Sequence, residues 1–111
     1  TRRGHTFYVL DEPSTGLHKA DVAKLLSILR SLVRQGHSVL LIEHDPDIIC
    51  ASDHIIELGP GAGPHGGQIV FSGNPQHLGQ LKGKQATAWS KYLQQRKMNN
   101  LANKSRKCAN C

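Results

Sequence analysis

Two short apolar runs, "TFYVL" at 6–10 and "SVLLIE" at 38–43, bracket one stretch of helical periodicity, and this arrangement limits the folds open to the chain. In "KADVAKLLSILRSLVRQG" (19–36), Val22, Leu25, Leu26, Leu29, Leu32 and Val33 fall on one face at α-helical spacing. Asp21 lies near the start of that helix, Arg34 near its end, and Gly36 is placed to terminate it. The two flanking runs do not alternate apolar with polar, as a half-exposed strand does. They read as strands covered on both faces, as in a parallel sheet. Strand, helix and strand at these lengths make a β-α-β unit with a right-handed crossover, and imply an α/β layered fold.

The rest of the chain extends that reading. "DPDIICAS" (45–52) is a short helix with Pro46 in its first turn. "HIIEL" (54–58) and "QIVFSG" (68–73) are further strands that can extend the sheet, and Gly73-Asn74-Pro75 turns out of the last one. Between them "GPGAGPHGG" (59–67) is a loop, because Gly and Pro at this density break both periodic structures. A length of 111 residues with 38% hydrophobic and 5% aromatic content permits one small domain with a modest core. "ATAWSKYLQQRK" (86–97) fits a helix with Trp89, Tyr92 and Leu93 on one face, whereas "MNNLANKSRKCANC" lacks a pattern and reads as disordered. The start, "TRRGHTFYVL", has no initiator Met, lacks the long apolar segment of a signal peptide and enters a strand almost at once. The chain is therefore expected to be a piece of something longer. No apolar run is long enough to cross a membrane, and no membrane partner is expected.

Charge is unevenly placed. Residues 1–57 carry all eight acidic residues and six Lys/Arg, while residues 58–111 carry eight Lys/Arg and no acid. A basic tail of this kind binds nucleic acid or another polyanion, or is simply a solvated extension. The odd cysteine count of three, without a signal peptide, argues against a disulfide scaffold. Cys50, in an apolar stretch, is expected to be buried. Cys108 and Cys111 form one C-x-x-C and provide at most two ligands, half of a structural zinc site.

The chemistry gathers where strands end. Asp11 and Glu12 close the first run, and Glu43 and His44 close the second. In open α/β sheets ligands collect at the carboxyl ends of strands, so parallel neighbours would bring three carboxylates and an imidazole to one edge. That set suits a nucleotide with its magnesium. Apolar residues followed by Asp form the Walker B pattern, in which the Asp holds the ion, often through water. A following Glu can polarise the attacking water as a general base, and a His at the next strand end can hydrogen-bond a terminal phosphate. The bland alternative is an exposed β-α turn with acids near a helix N-terminus. Several ATPase and helicase classes share the apolar-Asp-Glu pattern.

"YVLDEPSTGLH", "LLIEHDPDII" and "SDHIIELGPGAGPHGGQIVFSG" follow one another in an order and spacing that resemble ABC-type ATPases, and within them the UvrA family of bacterial nucleotide excision repair. The likeness runs from about Gly4 to Gly73 and more weakly to about Leu93. "GLH" after "DEPST" and the Gly-rich "LGPGAGPHGG" point to UvrA over a transporter. "GHTFYVLDEP" looks like the second of that family's two ATPase modules, although "GPGAGPHGG" also occurs in the first. The resemblance implies the C-terminal part of an ABC-type (P-loop NTPase) nucleotide-binding domain at 1–81, largely a parallel sheet with flanking helices, and a basic tail at 82–111. It implies ATP and Mg²⁺ as cofactors, with Asp11 ordering the magnesium through water, Glu12 as catalytic glutamate and His44 as the switch histidine that senses the γ-phosphate. Ser14, Thr15, Gly16, Leu17 and His18 match the D-loop, which packs across the interface between ATPase modules. The implied partners are DNA, a second ABC module, a homodimer partner and UvrB, in a cytoplasmic DNA-damage and SOS-response setting.

Glu43 reads as a local structural acid, and His37, His65 and His77 as loop or surface residues without a motif. Gly59, Gly61, Gly63, Gly66 and Gly67 fit a tight connection between two strands. They do not form a phosphate loop, since no G-x-x-x-x-G-K-[ST] is present. The Walker A lysine, the ABC signature stretch and the paired C-x-x-C zinc modules of the family are also missing from this sequence. The isolated chain is therefore expected to be inactive as an ATPase. Three alternatives stand beside this reading: a fragment of a transporter ATPase subunit, a degenerate ABC piece that binds nucleic acid through its basic tail, and a non-functional gene fragment.

Overall fold

The computed structural model describes residues 4–60 and 66–109, with side chains as far as Lys104. The chain divides between Ala51 and Ser52 into two compact units.

The first unit is the β-α-β arrangement. Strand β1 (Phe7–Asp11) and strand β2 (Ser38–Ile42) pair in parallel, from Phe7 opposite Ser38 to Asp11 opposite Ile42. Helix α1 (Lys19–Arg34) connects them and packs on β2. Gly36, at φ +95°, ends the helix as expected. Its N–H bonds the Val33 carbonyl at 3.0 Å, and the His37 N–H bonds that of Leu32 at 3.1 Å. These are the two bonds of a Schellman cap, which demands a left-handed residue and so favours glycine. Helix α2 (Pro46–Ala51) follows β2, and Arg30 of α1 donates a hydrogen bond to the Ala51 carbonyl. Val22, Leu29 and Ile48 form the buried core of this unit.

The core is thinner than the apolar runs suggest. α1 covers one face of the β1–β2 pair. On the other face Phe7, Val9, Leu40 and Ile42 are between 47% and 61% exposed. Among the described residues β1 and β2 pair only with each other, so both outer edges carry unpaired backbone groups. Val33, placed on the apolar face of α1 by periodicity, is also exposed, and so is Cys50. The first lies in the last turn of α1. The second lies on the outer side of a helix only six residues long, whose one buried side chain is Ile48.

The second unit does not continue a parallel sheet. Strands β3 (Ile55–Leu58) and β4 (Ile69–Gly73) pair antiparallel, with an irregularity between Glu57 and Leu58. The physical reason is the connection. A parallel return needs a crossover segment, usually a helix, and the Gly/Pro-rich stretch from Gly59 to Gln68 cannot supply one. Instead the Gly59 N–H bonds the Gln68 carbonyl at 2.7 Å and closes a hairpin. Gly67 takes φ +68° there, while Gly61, Gly63 and His65 lie outside the described residues. The expected largely parallel sheet is thus replaced by two small sheets, one parallel and one antiparallel.

Two helices complete this unit. Asn74-Pro75, read from sequence as a turn, opens helix α3 (Pro75–Gln80), with Pro75 at its first position. The Asn74 side chain accepts a hydrogen bond from the His77 N–H at 2.8 Å. After a 3₁₀ turn at Gly83–Gln85, helix α4 runs from Ala88 to Ala109 and continues through the stretch expected to be disordered. Its first turns pack on α3, where Leu78 and Ser90 are fully buried. The Gln94 side-chain amide donates to the carbonyls of Gly79 at 3.1 Å and Leu81 at 2.6 Å, supplying partners at the end of α3. From Lys97 to Lys104 every side chain is exposed.

Candidate functional site

Parallel pairing sends the carboxyl ends of β1 and β2 to the same edge, with Asp11 beside Ile42. The ladder continues one step past the strand: the Glu12 N–H donates to the Ile42 carbonyl at 2.7 Å. Glu12 then adopts φ +47°, the only left-handed residue other than glycine among those described. For an L-residue this conformation costs on the order of 1 kcal/mol. It turns the chain sharply at the end of the strand and leaves the Glu12 side chain half-exposed above the edge.

Opposite it, His44 follows β2 with its ring 71% exposed, and its Nδ1 lies 3.3 Å from Glu12 Oε1. The pair is close enough for the imidazole N–H to donate to the carboxylate. Asp11, exposed on the same edge, stands next in the chain. Carboxylate and imidazole are therefore presented together to solvent at one rim, each from a different strand end.

Residues 12–18 form two linked turns. Thr15 N–H bonds the Glu12 carbonyl at 3.1 Å, and Leu17 N–H bonds that of Ser14 at 3.0 Å. Gly16 takes φ +79°, a value any side chain would strain. Thr15, Leu17 and His18 are exposed, and His18 precedes α1 without a side-chain cap. Ser14 is turned the other way, toward Glu43. The Glu43 side chain is only 3% exposed. Its Oε1 accepts from Ser14 Oγ at 2.8 Å, from the His44 N–H at 3.1 Å and from the Asp45 N–H at 3.4 Å, and its Oε2 accepts from the Ser14 N–H at 3.1 Å. Burial by itself would raise the Glu43 carboxyl. The bonds from Ser14 and from the backbone N–H groups of His44 and Asp45 outweigh it and hold the carboxyl below its ordinary value of 4.5. Asp45 in turn accepts from the Asp47 and Ile48 N–H groups at 2.9 and 3.3 Å and starts α2.

The edge thus brings together Asp11, Glu12, Ser14, Glu43 and His44, while Thr15, Gly16, Leu17 and His18 form an exposed loop beside it. His37 Nδ1 accepts from the Thr6 N–H at 3.0 Å at the opposite end of the strand pair, and His77 lies exposed on α3. No group of three His, Cys, Asp or Glu among the described residues is arranged to hold a metal on its own. The Cys108 side chain and Cys111 lie outside what is described.

Sequence reasoning missed Glu57. The alternation along β3 points this carboxylate inward, 7% exposed, while Ile56 and Leu58 face out. Its Oε1 accepts from Thr87 Oγ1 at 2.7 Å, and Trp89 N–H points at Oε2 from 3.5 Å at the N-terminus of α4. Thr87 and Ser90 bond each other's backbone N–H through their hydroxyls, at 3.1 and 2.7 Å. The signal available was "Thr-Ala-Trp-Ser" as a capping pair. Nothing local marks Glu57 as its partner.

Comparisons with known proteins agree on one family, although no family model matches the chain. UvrABC system protein A of Streptococcus pyogenes serotype M1 is 52% identical over 79 residues, 71% of this chain and 8% of that protein. The protein of the same name from Pasteurella multocida is 46% identical over 94 residues, 85% of this chain and 10% of its own length. The crystal structure of UvrA2 from Deinococcus radiodurans superposes with a TM-score of 0.71 at 42% identity, over 82% of this chain and 11% of that one. The chain therefore spans about a tenth of the length of the relatives it matches, and it belongs to the UvrA family as a fragment of such a protein.

Proposed function

We propose that this chain carries the hydrolytic edge of an ATPase site in a DNA-damage-recognition protein of the UvrA type. The observation that supports this most directly is the approach of His44 Nδ1 to Glu12 Oε1, 3.3 Å, from two parallel strand ends. In this reading Glu12 orients the attacking water and takes its proton, and His44 donates a hydrogen bond to the γ-phosphate. Asp11 fits magnesium: its exposed carboxylate offers the oxygen ligand that this ion takes when water and phosphate oxygens complete its shell. The ion, when bound, neutralises charge on the phosphates. The exposed turns at Ser14–His18 form the contact to a second ATPase module, in the same chain or in a homodimer partner.

Residues 1–81 are then part of an ATPase core, of the second module by the character of "GHTFYVLDEP", and 82–111 a basic extension that contacts DNA. UvrB as a partner, and zinc held by modules outside this segment, come with the family reading. The phosphate cradle must come from elsewhere, because no Walker A sequence is present here. ATP turnover tests the proposal. The 111-residue chain alone is expected to show background hydrolysis only. Co-expression with a Walker A- and signature-bearing segment of a UvrA-family protein is expected to restore turnover. Hydrolysis by the chain alone, abolished by Glu12→Gln, would overturn the division of labour.

A further inference from the structure

Glu43 is a carboxylate with no exposed work to do. Its side chain is almost wholly buried one residue before the exposed His44, and it accepts four hydrogen bonds. Two come from Ser14, in the turn after β1, and two from the backbone of His44 and Asp45, after β2. A residue serving only its own loop would need only the second pair. A residue serving only the turn after β1 would need only the first. One side chain meets both, so neither segment can shift without breaking bonds to the other.

The segments it joins differ in role under the functional reading above, on which this inference rests. Ser14 begins the exposed run that faces a second module, and His44 faces the phosphate. We propose that Glu43 is a positioning residue that couples the Ser14–His18 turn to the His44 backbone, so that engagement of the turn by a neighbouring module sets where the His44 ring stands relative to Glu12. The carboxylate suits this task because all four of its partners are donors. A Gln at this position would turn one N–H₂ toward donors, and an Ala would remove every acceptor. Removing the carboxylate leaves the part-buried Ser14 and Asp45 donors without their acceptor, a cost that makes the link stiff. The path is short: a displacement of Ser14 reaches the His44 N–H through one side chain, and displacements near 1 Å are enough to disturb catalysis.

The test uses a full-length UvrA-family ATPase in which this segment replaces the corresponding one, with Glu12→Gln as the control. Glu12→Gln abolishes turnover if the ATPase reading holds; if it does not, that reading fails independently of Glu43. Given that control, Glu43→Gln is expected to lower kcat by about tenfold while KM for ATP and the number of nucleotides bound stay within about twofold. In a His44→Ala background Glu43→Gln is expected to add nothing, because the coupling acts through the ring that has been removed. Ser14→Ala, which deletes one hydroxyl and keeps the backbone N–H, is the milder probe should Glu43→Gln fail to fold. It is expected to lower kcat in the same direction by a smaller factor, and again to add nothing to His44→Ala. Unchanged kcat in the folded variants, or effects that multiply with His44→Ala, would overturn the proposal and leave Glu43 as a local structural acid.

Discussion

At the scale of single residues, two features carry a cost that the surrounding structure offsets. Glu12 sits at φ +47°, where a glycine would be at ease. In a folded module Glu12→Gly is expected to be more stable than Glu12→Ala by about 1 kcal/mol, since both lose the carboxylate and only glycine escapes the strain. Paired thermal melts check this, and equal stabilities would show that the left-handed turn is not imposed at that residue. Glu43 is held below its ordinary value of 4.5, so it favours the folded state above that pH. The contribution is lost as pH falls through the lowered folded-state value. Stability measured from neutral pH down to about pH 3 should therefore fall more steeply in the parent than in Glu43→Gln. Parallel curves would remove the carboxylate from the fold's acid response.

At the scale of elements, legibility follows range. β1, α1 and β2 could be read because period and cap residues are local, down to Gly36 at the end of α1. The meeting of Glu12 and His44 followed from one inference, that two strands joined by a helix run parallel. The tight connection between β3 and β4 was legible in its Gly and Pro residues, but the antiparallel pairing that it closes was not drawn from it. α3 was missed because six residues are too few for periodicity, and only Asn74-Pro75 marks its start. Glu57 and Gln94 were beyond reach: their partners lie thirty and thirteen to fifteen residues away in sequence, and only the fold brings them together. The helix α4 also changes how the basic tail should be probed. Its first turns are packed, so deleting them would damage the unit. Lys91, Lys97 and Lys104 are exposed, and each can be changed to Gln without cost to packing. If all three touch duplex phosphates, each substitution should reduce the log–log salt slope of DNA binding by about 0.9. A constant slope would make α4 a solvated extension.

For the whole molecule, the balance of buried and open surface is the governing fact. Only Val22, Leu29, Ile48 and Leu78 are buried hydrophobics among the described residues, while Phe7, Val9, Leu40, Ile42, Ile56, Leu58 and Ile69 are exposed. Strands this apolar and this open belong against further structure, and the relatives are about ten times longer. The 111-residue chain alone is expected to bind apolar dyes and to melt with weak cooperativity. A sharp two-state melt with dispersed amide signals would instead show a self-sufficient fold. No helix among the described residues is long and apolar enough to cross a membrane. If Glu12 and His44 act as a pair on one phosphate, turnover in a restored module carrying Glu12→Gln, His44→Ala or both shows it. Glu12→Gln is expected to slow kcat by about 10²-fold or more with ATP still bound, and the double variant to be no slower than the slower single one. Turnover of Glu12→Gln within about tenfold of the parent, or independent multiplicative losses in the double variant, would contradict it.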